Sequence, residues 1–311
     1  MTPLISVLIP NYNHAKYLKQ RIESVLNQTF RNFELIILDD CSNDDSKIII
    51  ENYRHHDLVS NIIYNKHNTG NTFVQWKKGI EISKGKYIWI AESDDWSEPT
   101  FLENLIYKLE ADIDISLAFA QTMCLNQDDT IRFITSSTKI DEIQDGNDFI
   151  RTKMIFQNSI VNASMVLFRK KIALEISNDY LTFKYCGDWL FWINIIQNHK
   201  IFYSGKILNY YRKHDKDVSS KFLFSGENFK EEIQLFNQLL LENIINFKTY
   251  KYIVRFKYRV FIKNIFKYKK ATLYVINNYF RKTNVVNNYL FILYFIYIYS
   301  KNIFSKRLLL K

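Results

Sequence analysis

Glycine is scarce in this chain, with seven in 311 residues, and cysteine is scarcer, with three. Cys41, Cys124 and Cys186 are odd in number, far apart and without metal-ligand spacing. They exclude a disulfide framework, point to a reduced compartment and are each expected as small core residues. Apolar runs of membrane length are missing as well. The run Tyr289–Tyr299 is about eleven residues long, short of the roughly 20 that span a bilayer. The N-terminus, MTPLISVLIPNYN, has no basic stretch ahead of an apolar one, so no signal peptide is expected and the protein is expected in the cytoplasm.

Aromatic residues are plentiful at 16%, and the net charge of +10 is unevenly placed. From Leu241 onward there are 15 Lys and Arg against one acid, Glu242, a net +14. The first 240 residues hold 27 basic and 31 acidic residues, a net −4. The basic excess therefore lies wholly in the tail, which calls for an anionic surface or a nucleic acid as partner. Composition also changes near Phe229, toward Asn, Lys, Tyr, Ile and Phe at helical spacing. A boundary is expected there, with a domain at 1–224 and a helical, basic extension at 225–311.

The first 120 residues alternate apolar runs with helical patterns. ISVLI (Ile5–Ile9), FELIILDD, NIIYN and KYIWIA read as strands. Ala15–Gln28, with Leu18, Ile22, Val25 and Leu26 on one face, SKIIIENY and FVQWKKGIEIS read as helices. Alternation of this kind predicts an α/β fold with a mostly parallel sheet, and continuous apolar runs predict strands covered on both faces. A further helix is expected to start after Glu98, with Pro99 at its first position. DISLAFAQ reads as one more strand. VNASMVLFRKKIALE and CGDWLFWINIIQ form a second patterned block, and the stretch to about Asn162 carries little pattern.

Ligands of such sheets bind outside the carboxyl ends of the strands. Here those ends carry PNYN, DDCSND and ESDD, three polar, acid-rich segments on one rim. Glu92, Asp94 and Asp95 repel one another unless a cation joins them. Either they cap and tie the following turn, or they hold a hard cation such as Mg²⁺ or Mn²⁺, which takes carboxylate oxygens and leaves positions for substrate phosphates. The second reading implies a metal carrying a nucleotide diphosphate. Asp39 either ties its own turn or accepts a hydrogen bond from a base imide N–H, a charged and selective contact. Asn68 and Asn71 precede the third helix as candidate donors to ribose or phosphate.

SVLIPNYNHAKYLKQRIESVLNQTFRNFELIILDDCSND, followed by NTGNTFVQWKKGIEISKGKYIWIAESDD, resembles a family 2 glycosyltransferase of the GT-A fold, a Rossmann-like α/β fold. The likeness covers Ile5 to about Leu109 and returns more weakly around GDWLFW and YYRKHDKDVS. It implies a metal-dependent, inverting transfer of one sugar from a nucleotide diphosphate sugar, UDP-sugar favoured, to a hydroxyl of a glycan or lipid-linked glycan in bacterial surface-polysaccharide synthesis. It also implies that Pro10, Tyr12, Asp39, Asn71, Glu92 and Ser93 line the nucleotide. Asp94 would hold Mn²⁺ or Mg²⁺, with Asp95 and His214 as further ligands. Glu92 stands where the family more often has Asp, which puts its ribose contact in question.

Inverting transfer needs a base on the acceptor hydroxyl. The resemblance assigns that role to Asp188 in CGDWLFWINII, whose alternative is to cap the helix starting at Trp189. Trp189 and Trp192 would give it apolar cover or stack on a sugar ring. The Q-x-x-R-W element of processive synthases is missing, so a single transfer is expected. A sugar nucleotidyltransferase is not expected, because PNYNHAKY lacks the glycine-rich loop of that class. The aromatic, basic tail suits an anionic membrane, placing the enzyme peripherally on the inner face of the cell membrane. The alternatives for the tail are folding on the core or dimerisation. The alternatives for function are a sugar-nucleotide-binding protein without turnover and a nucleic-acid-binding protein, although the tail carries no nucleic-acid-binding signature and no such partner is expected.

Overall fold

A computed structural model describes residues 2–135, 140–213, 225–286 and 292. The chain divides into two compact units, Met1–Asp215 and Lys216–Lys311. In chain order the first contains β1 (Ile5–Asn11), α1 (Ala15–Leu26), β2 (Phe33–Asp39), α2 (Ser46–Glu51), β3 (Val59–Tyr64), α3 (Thr72–Ile82), β4 (Tyr87–Ile90), β5 (Trp96–Ser97) and α4 (Phe101–Ala111). It continues with β6 (Ile115–Leu125), β7 (Ile131–Ile134), β8 (Glu142–Asp145), α5 (Gly146–Phe149), β9 (Val166–Arg169), α6 (Lys170–Glu175), α7 (Gly187–Ile196) and β10 (Lys200–Arg212).

The strands form one mixed sheet in the order β3-β2-β1-β4-β9-β6-β10-β5, with β7 on β6 and β8 on β10. Six of the eight strands on that path point one way; β9 and β5 run against them. β1, β2 and β4 are buried along their whole length, as their unbroken apolar runs require of strands covered by helices. Insertion of antiparallel β9 between β4 and β6 is not foreshadowed by the sequence, because VLFR reads equally as a helix start or a strand.

Leu18, Ile22, Val25 and Leu26 of α1 are buried as their spacing predicts. α4 begins at Phe101 with Thr100 as its cap, so Pro99 lies outside the helix rather than at its first position. Pro10 is accommodated within β1 because its ring nitrogen faces β4 beyond the last pair, Leu8↔Ile90, where no ladder bond is lost. The strand order reverses direction between β1 and β4, and the polar rim of the sheet lies at that switch point.

The second unit holds α8 (Glu227–Leu241), α9 (Phe247–Lys263) and α10 (Lys270–Arg281). Its core is aromatic: Phe229, Tyr258, Phe261 and Phe280 are buried with ring centroids 5.3–6.1 Å apart. Leu235, Phe236, Leu239, Ile253, Val254 and Ile276 are also buried. The many apolar residues of this part of the tail thus have a core of their own and need no bilayer to cover them. Gly226, at φ 76°, caps α8 where a Cβ would stand 2.4 Å from Ile276. No helix among the described residues is long and apolar enough to cross a membrane.

Candidate active site

β1 and β2 end side by side, with Asn11 in register with Asp39. The Asn11 amide donates to Asp39 Oδ1 at 2.7 Å, and Ser42 donates its hydroxyl to Oδ1 at 2.6 Å and its backbone N–H to Oδ2 at 2.9 Å. Asp39 is therefore held in one orientation, 3% exposed at the strand end. Asp40 supports the neighbouring loop, accepting from Asn65, from the N–H and hydroxyl of Thr69, and from Gln75. Tyr12 is exposed at 44%, whereas Pro10 is buried. Cys41 is not a core residue: it sits exposed at φ 64° on the turn after Asp40.

The acidic segment 92–95 meets a cation that the sequence did not single out. Arg21 of α1 is fully buried, and its Nε donates to the Glu92 carbonyl at 2.8 Å while Nη1 donates to the Ser97 hydroxyl at 3.2 Å. Its Nη2 lies 3.9 Å from Asp95 Oδ2, and the guanidinium lies over the Trp89 ring. Burial lowers Arg21 to about 10, even though Asp95, Asp94 and Glu92 all favour its charge. A second arginine, Arg212 at the end of β10, lies between the rings of Tyr17 and Trp96, 4.6 and 4.5 Å from their centroids. It donates to the Asp94 carbonyl at 2.7 Å.

The three carboxylates have separate surroundings. Asp95 is sealed at 0% exposure and accepts from Asn162, Ser164 and the Arg212 N–H. That enclosure corrects its reading as a metal ligand: a carboxylate walled in by four protein groups is an internal anchor. Glu92 is half-buried, with one oxygen accepting from the Trp76 indole at 2.9 Å; its extra methylene reaches α3. Burial, with the charge of Asp94 beside it, pushes Glu92 up to about 8. Asp94 is half-buried between Ser93, whose hydroxyl lies 2.8 Å from Nδ1 of His14, and Asp95.

Among the described residues, no three His, Cys, Asp or Glu side chains cluster into a metal cage. Two half-buried carboxylates, Glu92 and Asp94, are hard oxygen donors that suit a cation completing its shell with ligand phosphates and water. His214 lies outside the described residues.

Asp188 occupies the first turn of α7, which starts at Gly187 with Cys186 as its cap, so it does not cap a helix starting at Trp189. Its Oδ2 accepts from Asn158 at 2.9 Å. Four residues after Asn158, Asn162 donates to Asp95, and Ser164 donates to Asp95 while accepting from the Glu92 N–H. The loop 158–164 thus grips Asp188 at one end and the acidic segment at the other. α7 sits close on α3, where a Cβ on Gly187 would fall 2.3 Å from Phe73. Trp189 and Trp192 are buried, Trp189 donating to the Met154 carbonyl and Trp192 packing on Trp76, so neither presents a face to a sugar.

Asn71 is likewise reassigned. Its oxygen caps α3 at the Phe73 N–H, and its amide donates to the carbonyls of Leu181 and Phe183, which occupies both ends of the side chain. Of the residues missed, only Arg21 left a signal in the sequence. It falls three after Leu18 and four before Val25, on the apolar stripe of α1, where a charge needs an internal partner. Arg212, His14, Trp76, Asn158, Asn162 and Ser164 carry no such mark.

A sequence model of the family described as Glycosyl transferase family 2 matches residues 6–176. An uncharacterized glycosyltransferase of Haemophilus influenzae is 30% identical over 274 residues, covering 86% of this chain and 99% of its own. The putative teichuronic acid biosynthesis glycosyltransferase TuaG of Bacillus subtilis is 34% identical over 109 residues, 35% of this chain and 43% of that one. Several curated relatives are matched over only 38–66% of their length. Among solved structures, S. aureus TarS 1–349 in complex with UDP-GlcNAc aligns with a TM-score of 0.65 at 20% identity, covering 83% of this chain and 72% of that one.

Proposed function

This chain belongs to glycosyl transferase family 2 and is a glycosyltransferase, and from that premise we propose the reaction it performs. It moves one sugar, with inversion, from a UDP-sugar to a hydroxyl of a glycan or lipid-linked glycan in bacterial surface-polysaccharide synthesis. Residues 1–224 carry the chemistry. The names of TuaG and of the TarS–UDP-GlcNAc complex support the substrate class.

What supports the reading most is the loop 158–164, which ties Asp188 and the 92–95 segment into one bonded unit. A donor site and a base have to be held in fixed register for in-line attack at an anomeric carbon. Asp39, locked by Asn11 and Ser42, accepts a hydrogen bond from the uracil imide N–H. Pro10, Tyr12 and Ser93 flank the nucleotide. Asp94 would hold Mg²⁺ or Mn²⁺, with Glu92 beside it, and the ion would supply Lewis-acid neutralisation of charge on the diphosphate. Asp188 takes the proton of the acceptor hydroxyl as that oxygen attacks, and Asn158 orients its carboxylate.

Calorimetric titration of UDP in Mn²⁺ and in EDTA tests this. Binding is expected with the metal and is expected to weaken at least tenfold with EDTA or in Asp94→Ala. Equal affinity in all three would sink the assignment of Asp94. An Asp188→Asn variant is expected to bind UDP normally and to lose transfer by a factor of about 10²–10⁴, the usual reach of a general base. The tail brings the enzyme to an anionic membrane surface.

A further inference from the structure

The sugar-transfer chemistry makes no use of the outer face of α9. The inner face is committed, with Tyr250, Ile253, Val254, Tyr258 and Phe261 buried and Lys257 paired to Glu232 at 3.0 Å. At about 100° per residue, Lys248, Tyr252, Arg255, Phe256, Arg259 and Lys263 fall in one strip on the other side. All six are exposed, Tyr252 at 57% and Phe256 at 37%. The helix contains no acid. Lys248, Arg255, Arg259 and Lys263 have no ion-pair partner among the described residues.

We propose that this strip docks the protein on an anionic lipid headgroup surface, which deepens the membrane contact included in the function above. Four cations along a rod of about 25 Å match a plane of phosphates. Because the apolar face of α9 is spent on its own core, docking is by charge rather than by insertion, and salt weakens it. Among the described residues of the second unit the strip is a convex helix face, without a groove in which to stack bases, so single-stranded nucleic acid is the poorer occupant.

The experiment is co-sedimentation of the full chain with phosphatidylcholine vesicles, with and without phosphatidylglycerol, at low and physiological salt. A triple variant, Lys248→Ala/Arg255→Ala/Arg259→Ala, is run beside it. Binding is expected only with phosphatidylglycerol, to fall with salt, and to weaken about a hundredfold in the variant, about fivefold for each cation. The helix remains intact, since all three side chains are exposed, and circular dichroism checks that.

Three results would overturn the proposal. They are no binding to anionic vesicles, equal binding by the variant, and displacement from vesicles by a single-stranded RNA homopolymer at lower concentration than the lipid. UDP titration of both proteins separates this from the reading of the active site. If UDP fails to bind either protein, the donor site is wrong while the vesicle result still judges the strip.

Discussion

Arg21 illustrates how one side chain organises a charged site. A guanidinium with no exposure faces Asp95, also unexposed, and holds the backbone of Glu92. Such a pair is weak evidence for stability in itself, but removing one partner strands a buried charge. Arg21→Met is therefore expected to cost about 3–5 kcal/mol in urea unfolding, with much of the loss recovered in Arg21→Met/Asp95→Asn. A loss below about 1 kcal/mol would mean that the charge is compensated elsewhere.

Glu92 adds a pH dependence at the same scale. Its folded value of about 8 stands above the ordinary 4.5. Between those values the folded chain keeps a proton that the unfolded chain has released, so this contribution is fully present below about pH 4.5 and is lost as pH rises through about 8. In EDTA, urea midpoints are expected to fall from pH 5.5 to pH 8, and less steeply in Glu92→Gln. A midpoint flat across that range would refute it.

At the scale of elements, strand ends and helix starts decide which polar residues are available to a ligand. Asn71 looks like a loop donor in NTGNT, yet it spends its oxygen on the start of α3 and its amide on the 181–183 carbonyls. Asn71→Ala is expected to destabilise by about 1–2 kcal/mol, the usual cost of a lost cap, with UDP affinity unchanged in the presence of metal. A tenfold loss of affinity at normal stability would restore it as a nucleotide ligand. The loop 158–164 makes the converse point. With little pattern of its own, it holds both acid sites through Asn158, Asn162 and Ser164.

At the scale of the whole molecule, charge and packing follow the division into two units. The acid-rich rim lies in Met1–Asp215, whereas α9 and its cations lie in Lys216–Lys311. The aromatic core of the second unit depends on Phe261, which is unexposed and in ring contact with Phe229, Tyr258, Tyr268 and Phe280. Phe261→Ala is expected to cost about 3–5 kcal/mol while leaving UDP titration unchanged. Parallel loss of UDP affinity would show that the second unit supports the donor site.

The sequence by itself determined the order of β1–α1–β2–α2–β3–α3–β4, the burial of β1, β2 and β4, though not the half-exposure of the edge strand β3, and the convergence of PNYN, DDCSND and ESDD on one rim. All of that is local: apolar periodicity selects strand or helix, and polar residues collect where a buried strand must end. Only the tertiary structure decided what each polar residue does. The bonds that separate Asp95 from Glu92 and Asp94, spend Asn71 and couple Asp188 to the acidic segment join parts of the chain 30 to 117 residues apart. What each Asp or Asn does follows from which segments pack around it and which of its oxygens they claim, a property of packing that no single stretch of sequence carries.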